Sequence, residues 1–408
     1  MTTLRAGQPV PADFAAPPSA ADIARWADAD RAARPTRLDR LRSRFAAAGV
    51  DGYFGLRREN IRYLTGFTLG EGEEKGAGDS GRFLVTADEL VVLADSRYTI
   101  QAHREAAEAR IEFAYGDLPD RWRGLVASVG ARRVAVETSA ISHALWEALA
   151  LAAPDVELVA IDGWVEEDRA TKEPSEVERI AAACSVADRA LAALLPEIEV
   201  GRTERELALR LEWLMRAGGA EALAFDATCL SGPEAALPHG SPDDRPVLAG
   251  AVLLFDFGAQ VAGYRSDMTR TLFVGDPSSR DLDIYQLVAL AQSASLELLA
   301  NHARDGSAPS GRATDLAARQ PIVAAGHGDH FGHGTGHGIG LATHEQPRLA
   351  RTAPDTPLPT PTVFSVEPGV YLEGETGVRI EDLVHFDPDS HRMDRLTRFP
   401  SEVVVIGG

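Results

Sequence analysis

An α/β domain followed by a larger α+β domain is the fold class this sequence predicts, and three observations predict it. Short apolar or alternating runs (VDGYFGL, GRFLVT, ELVVLAD, RRVAVE) are separated by helical stretches such as YTIQAHREAAEA and SHALWEALALAA up to about residue 165. Two long amphipathic segments then follow Lys172-Glu173-Pro174. Beyond them, strand-type runs dominate between Gly- and Pro-rich turns.

In chain order, residues 1–35 are rich in Ala and Pro and read as a loosely held extension, with domains expected over 36–165 and 166–408. A first helix, TRLDRLRSRFAAAG, should end at Gly49, and GEGEEKGAGDSG, residues 70–81, reads as an exposed loop. Ser175 with Glu178 predicts a capping box before VERIAAACSVADRALAALL, and Thr203 with Glu206 another before LALRLEWLMRAGG. AVLLFDFG and TRTLFVG read as strands, followed by a helix over about 281–303, a glycine-histidine run, the Pro-rich APDTPLPTP and a final strand-rich stretch from VFSVEPGVYL.

Composition excludes several function classes. With 41 Lys plus Arg against 61 Asp plus Glu, the formal charge of −20 repels phosphate backbones, so nucleic acid is not expected as the main partner. The two cysteines, Cys184 and Cys229, have no paired spacing, which fits a reducing cytoplasm and leaves no cysteine metal cluster. The N-terminus has no continuous apolar core and no stretch approaches a membrane-spanning length, so neither a signal peptide nor a membrane partner is expected.

The chemistry centres on FGHGTGHGIG, residues 331–340, where glycines should allow turns closed to other residues while holding His333 and His337 in a fixed relation. Upstream, Asp256 ends one strand and Asp267 begins its partner after a turn containing Gly258 and Gly263. Downstream stand Glu367 in SVEPGVY and Glu381 in VRIEDL. Each acid alone reads as a turn cap or a surface group. Converging on His337, four carboxylates could not stay ionised together without cations, and such an oxygen-rich set suits two hard or borderline divalent ions. A two-metal hydrolase is the leading idea. Competing motifs fail: Asp256-Phe257-Gly258 lacks kinase context, HEQPR from His344 lacks the second zincin histidine, and no dinucleotide or P-loop pattern occurs.

These segments resemble the pita-bread metallopeptidase family that includes prolidases, aminopeptidase P, methionine aminopeptidases and the metal-free creatinases. ENIRYLTGF and LADSRYTIQA resemble the N-terminal domain of its proline-specific branch. The resemblance implies a creatinase-like α/β N-terminal domain and a pita-bread C-terminal catalytic domain whose two similar halves face each other across the metals. It implies that Asp256 chelates one metal, that His337 and Glu367 bind the other, and that Asp267 and Glu381 bridge them. Glu367 would also shuttle a proton, His344 would stabilise the developing oxyanion, and His239 in LPHG would contact the scissile region; a lone loop histidine also reads as a structural one. His333 and Tyr371 take supporting places at the substrate, and Arg379 orients a ligand carboxylate from behind. Arg348, four residues after His344, matches an arginine that clamps the C-terminal carboxylate of an Xaa-Pro dipeptide in prolidases; alone it reads as an exposed loop arginine.

The resemblance further implies two divalent ions, manganese first and then cobalt, zinc or iron, a substrate that is a small peptide with proline second, and a homodimer. Hydrolysis of Xaa-Pro bonds as a dipeptidase is expected. The alternatives are an Xaa-Pro aminopeptidase acting on longer peptides and, more distantly, a metal-free amidinohydrolase or a peptide-binding module.

Overall fold

A computed structural model describes residues 4–5, 14–70, 73 and 76–406. Residues 24–168 form one compact unit, and the chain from Arg169 onward, with the described part of the N-terminal segment, forms another. β1 (Leu4–Arg5) belongs to the second unit, where it pairs in parallel with a late strand.

The first unit opens with α1 (Ala20–Ser43), which starts within the span expected to be a loose extension. The physical reason lies in its composition: an Ala- and Arg-rich run propagates helix despite Pro35, and Trp26, Leu38 and Leu41 are buried along it. After the short α2 (Phe45–Ala48), Gly49 ends the helix in the left-handed region at φ 63°, as expected for a C-terminal glycine. The sheet comprises β2 (Gly52–Gly55), β3 (Phe83–Thr86), β4 (Leu90–Ala94), β5 (Arg110–Phe113), β6 (Arg133–Glu137) and β7 (Glu157–Ile161), in the order β5-β4-β3-β2-β6-β7. β2–β3 and β3–β4 pair antiparallel and the remaining neighbours parallel. Phe54 and Trp122 meet edge to face at 5.0 Å in its core. The loop expected to be exposed over 70–81 is exposed at Gly70, Glu73, Gly76 and Gly78, but Ala77, Asp79, Ser80 and Gly81 are buried, with Ser80 donating to the buried Asp95 at 3.0 Å; residues 71, 72, 74 and 75 lie outside the described residues.

The helices α3 (Arg58–Thr65), α4 (Thr99–Glu105), α5 (Leu118–Ser128), α6 (His143–Ala152) and α7 (Trp164–Ala170) complete that part of the chain. The second unit continues with α8 (Pro174–Leu194) and α9 (Glu204–Ala217). The capping box of α8 is made by Glu173 and Glu176, not by Ser175 and Glu178, because Pro174 takes the first helical position and shifts the cap one residue upstream of it. Thr203 and Glu206 form the second box as expected.

Fourteen more strands and two long helices build the rest. They are β8 (Ala222–Leu223), β9 (Thr228–Ser231), β10 (Val252–Phe257), β11 (Ala259–Val261), β12 (Tyr264–Arg265), β13 (Met268–Val274), α10 (Ser279–Arg304), α11 (Gly311–Ala324), β14 (Gly336–Gly338), β15 (Glu345–Leu349), β16 (Thr362–Val366), β17 (Gly369–Leu372), β18 (Thr376–Arg379), β19 (Asp382–Asp387), β20 (Arg392–Arg395) and β21 (Val404–Ile406). Two five-stranded sheets dominate, ordered β1-β21-β13-β10-β9 and β15-β14-β16-β19-β20. The helix α10 serves both: Ile284, Tyr285 and Val288 pack with Val252, Leu254 and Phe273, whereas Leu299 and Ala303 pack with Phe364, Val384 and Phe386. This shared helix holds together the two sheets that carry the candidate ligands.

Candidate metal centre

The two aspartates are placed by one hairpin. β10 and β13 pair antiparallel with Asp256 opposite Thr269 and Phe257 opposite Met268, so Asp267, the residue before β13, returns beside the end of β10. Between them β11 and β12 extend as a ribbon closed by Ala262 and Gly263, both at positive φ (47° and 84°), the conformation of a two-residue hairpin turn.

The glycine-histidine run lies between two strands, and its glycines serve close approach rather than unusual backbone turns. No glycine from 332 to 340 has positive φ, which corrects the expectation of turns closed to other residues. A Cβ on Gly336 would stand 1.9 Å from the Ser365 carbonyl oxygen, and one on Gly338 2.0 Å from that of Gln346, so only glycine fits between β15 and β16. Behind the run, Asp315 accepts from the backbone and hydroxyl of Thr335, both at 3.0 Å, and pairs with Arg319, which donates to the carbonyls of Phe331 (2.8 Å) and His333 (2.7 Å).

His337 is oriented by its own chain. Its Nδ1 lies 3.1 Å from the Gly338 carbonyl, which can only accept, so Nδ1 carries the proton and Nε2 presents its lone pair. That Nε2 faces Glu367 Oε1 at 3.3 Å and Asp267 Oδ2 at 3.7 Å. The Ser365 hydroxyl joins the two ligand strands, accepting from the His337 backbone at 3.1 Å and donating to Glu367 Oε1 at 3.0 Å. Ligand atoms of Asp267, His337 and Glu381 lie within 4.8 Å of one another.

The carboxylates of this cluster repel one another in a buried site, a strain that bound protons or cations relieve. Burial pushes the Asp267, Glu367 and Glu381 carboxyls above the usual range, and negative neighbours, including Asp256, push them further. Glu381 uses Oε2 to accept from the Thr269 hydroxyl at 2.8 Å, and Asp256 uses Oδ2 to accept from Arg379 at 2.5 Å. Their other oxygens, Glu381 Oε1 and Asp256 Oδ1, are buried without a hydrogen-bond partner among the described residues. Orphaned carboxylate oxygens are costly unless a cation meets them, and four carboxylates with one imidazole nitrogen match oxygen-preferring divalent ions. The residues present therefore fit a pair of such ions.

A polar line runs away from the cluster. Arg379 donates to Asp256, to the Thr269 hydroxyl (2.8 Å) and to the Tyr371 hydroxyl (2.9 Å). His333 gives its Nδ1 proton to the Gly334 carbonyl at 2.7 Å, so its Nε2 accepts from Tyr371 at 2.9 Å. Burial holds the His333 imidazole below its ordinary pKa and pushes the Tyr371 phenol up to about 12, which keeps both neutral at pH 7.

The remaining predicted residues lie at the open side. His344 is exposed, with its ring centroid 4.2 Å from that of His337. Arg348 is exposed and stands directly opposite His337 in the β14–β15 pairing, hence on the same face. His239 is exposed, makes no hydrogen bond among the described residues, and bears on the cluster only through its charge at His344.

Sequence reasoning passed over Thr269, Ser365, Asp315 and Arg319, and also the buried pair of Arg270 and Asp382 at 2.7 Å. Arg270 lies beside Thr269 and donates to the Glu381 carbonyl at 2.5 Å, tying β13 to the segment bearing that ligand. The adjacency of Asp382 to Glu381 in the sequence was the available signal.

Comparisons with known proteins identify the family. The model of metallopeptidase family M24 matches residues 178–388, and that of the creatinase/prolidase N-terminal domain matches 37–171. An Xaa-Pro dipeptidase of Pyrococcus furiosus is 38% identical over 61% of this chain and 69% of its own length. Solved structures of an Xaa-Pro dipeptidase from Bacillus anthracis (TM-score 0.82, 34% identity, 91% of this chain and 99% of that one) and of an X-Pro aminopeptidase from Thermotoga maritima (TM-score 0.78, 34% identity, 90% and 99%) share the fold across both units. With both family models matched in chain order and the polar cluster inside the second, this chain belongs to metallopeptidase family M24 and is a hydrolase.

Proposed function

We propose that the chain is a two-metal exopeptidase that hydrolyses Xaa-Pro bonds, acting as a dipeptidase. What supports the metal reading is the grouping of Asp267, His337 and Glu381, with Glu367 against His337, and the buried oxygens of Glu381 and Asp256 that have no hydrogen-bond partner among the described residues. Bound divalent ions supply a water of lowered pKa and polarise the scissile carbonyl. In this reading Asp256 would hold one ion and His337 with Glu367 the other, with Asp267 and Glu381 shared between them. Glu367, at the open edge of the cluster, takes and returns the proton. His344, whose pKa is lowered by partial desolvation of its ring and by the neighbouring His337, is neutral at pH 7 and donates to the oxyanion that develops on the substrate. His239 contacts the scissile region. The line Asp256–Arg379–Tyr371–His333 fixes the far wall of the site. A dedicated site makes chemical sense for prolyl bonds, whose nitrogen has no proton to offer.

Arg348 supports the dipeptidase branch. No carboxylate among the described residues pairs with its exposed guanidinium, and its place opposite His337 would let it meet a substrate carboxylate next to the metals. The second reading, an aminopeptidase on longer peptides, is favoured by the equal 34% identity to the Thermotoga X-Pro aminopeptidase. On the family resemblance we put manganese first, with cobalt, zinc or iron behind it; the oxygen-rich donor set is compatible with it. A homodimer in the cytoplasm completes the proposal, supported by similarity to the proline-specific branch and by two buried, unpaired cysteines.

The deciding experiment measures turnover of Xaa-Pro dipeptides beside Xaa-Pro-Xaa tripeptides with each metal. Dipeptide preference, and its loss in Asp256→Ala, is expected. Equal cleavage of tripeptides would hand the assignment to the aminopeptidase, and full turnover by Asp256→Ala would end the two-metal reading.

A further inference from the structure

The His344 ring, although 4.2 Å from that of His337, makes no hydrogen bond of its own among the described residues. Its aim must therefore come from the backbone that carries it. Both neighbours in sequence point the other way, into buried polar contacts. The Thr343 hydroxyl accepts from Arg265 at 3.0 Å and donates to the Ala224 carbonyl at 3.2 Å. The Glu345 side chain is 4% exposed, and its Oε1 meets Arg169 at 2.8 Å while Oε2 lies 3.9 Å from Lys172.

Glu345 also closes the loop on itself. Its Oε1 accepts the Ala342 backbone proton at 2.9 Å, and a Cβ on Gly340 would stand 2.7 Å from that same oxygen. The cations are fixed in turn: Lys172 Nζ donates to the Arg169 carbonyl at 2.7 Å, and its backbone donates to the Pro361 carbonyl at 2.8 Å. A buried ion pair is weak evidence for stability, since an apolar replacement is often as good, but it fixes geometry where several partners must be met at once. Here the partners span segments 169–172 and 340–345, and the latter includes His344.

We propose that Glu345 is a positioning residue for His344: its buried pairing with Arg169 and Lys172 and its bond to the Ala342 backbone fix the turn that aims the imidazole at the metal cluster. The inference rests on His344 acting on substrate.

The test uses the full-length, metal-loaded enzyme and a double-mutant cycle of His344→Ala and Glu345→Gln on an Xaa-Pro dipeptide. Glu345→Gln is expected to lower kcat by about 10- to 100-fold, as small displacements of a catalytic group do, with KM and metal content little changed. In the His344→Ala background the same change should cost no more than about 2-fold, because the ring it places is gone. Equal losses in both backgrounds, or no loss in the parent, would overturn the proposal.

Histidine side-chain NMR of the zinc-loaded protein supplies a reading independent of turnover. Glu345→Gln should move the His344 ring signals and leave in place those of His302, whose ring is hydrogen-bonded to the Ser307 hydroxyl at 2.8 Å; unmoved His344 signals count against the role. If His344→Ala alone left kcat intact, the assignment of His344 would fail, and the NMR result would still decide whether Glu345 places the ring. Glu345→Asp, which keeps the charge on a shorter stem, guards against a misfolded amide variant and is expected to fall between the parent and Gln in kcat. A kcat below that of the Gln variant would contradict the proposal.

Discussion

Across β14 and β15, His337 and Arg348 face each other, and no carboxylate among the described residues pairs with the Arg348 guanidinium. A charge-assisted contact between that guanidinium and a substrate carboxylate is worth about 1.5–3 kcal/mol. Arg348→Ala is therefore expected to lower kcat/KM for Xaa-Pro dipeptides by about 10- to 150-fold, with Xaa-Pro amides little affected. Lysine should restore only part, because it lacks the planar two-pronged donor. Steady-state kinetics on both substrate types check this; a loss that is equal for dipeptide and amide would show that Arg348 does not read the carboxylate.

At the scale of elements, α11 carries more of the site than its sequence suggests. Asp315 is fully buried and holds both Thr335 and Arg319. Removing one partner of a buried pair leaves the other charge uncompensated, so Asp315→Ala should cost about 3–5 kcal/mol, read as a lower denaturation midpoint in urea. A midpoint within error of the parent would show that the brace is dispensable. The grouping of Asp267 and Glu381 about His337 was legible through the family resemblance, since strand ends, turns and a Gly-His run alone also fit turn caps and surface acids. The brace was not, because Asp315 and Arg319, four apart on a helix, read as an ordinary exposed pair. Steric need was also hidden: sequence shows that residues 336 and 338 are glycine, but only the packed strands reveal the Ser365 and Gln346 carbonyls that forbid a side chain there. Pro174 carried the correct start of α8, since a proline at the first helical position names the residue before it as the cap.

For the whole molecule the proposed ligands come from segments flanking both large sheets, so metal binding is expected to link to stability through pH. Burial, reinforced by mutual repulsion, raises the Asp267, Glu367 and Glu381 carboxyls, so without metal their contribution favours folding at acid pH and is lost as pH rises through the raised values. Asp188, pushed up to about 6 chiefly by burial, adds in the same direction. His333, His337 and His344, held low by burial first, contribute the opposite sign: their share is present above about 6.5 and lost as pH falls. The difference between metal-loaded and chelated protein isolates the cluster. That difference in Tm is expected to grow from pH 5 to pH 7, as protons cease to compete for the ligands. Thermal unfolding with and without chelator at both pH values checks it, and a difference that shrinks with pH would contradict the ligand assignment.

The Pro-rich connection between β15 and β16 is exposed at residues 354–357, and it separates His337 from Glu367 and Glu381 along the chain. A protease that cuts there would leave those ligands on different fragments. Metal bound across them would then act as a clasp between pieces no longer joined by peptide bonds. The nicked enzyme should run as two bands under denaturing conditions yet elute as one species and keep turnover while metal is present. Chelation should let the pieces part far more readily than dilution does, which turns a surface connection into a gauge of how firmly the metals hold the two sides together.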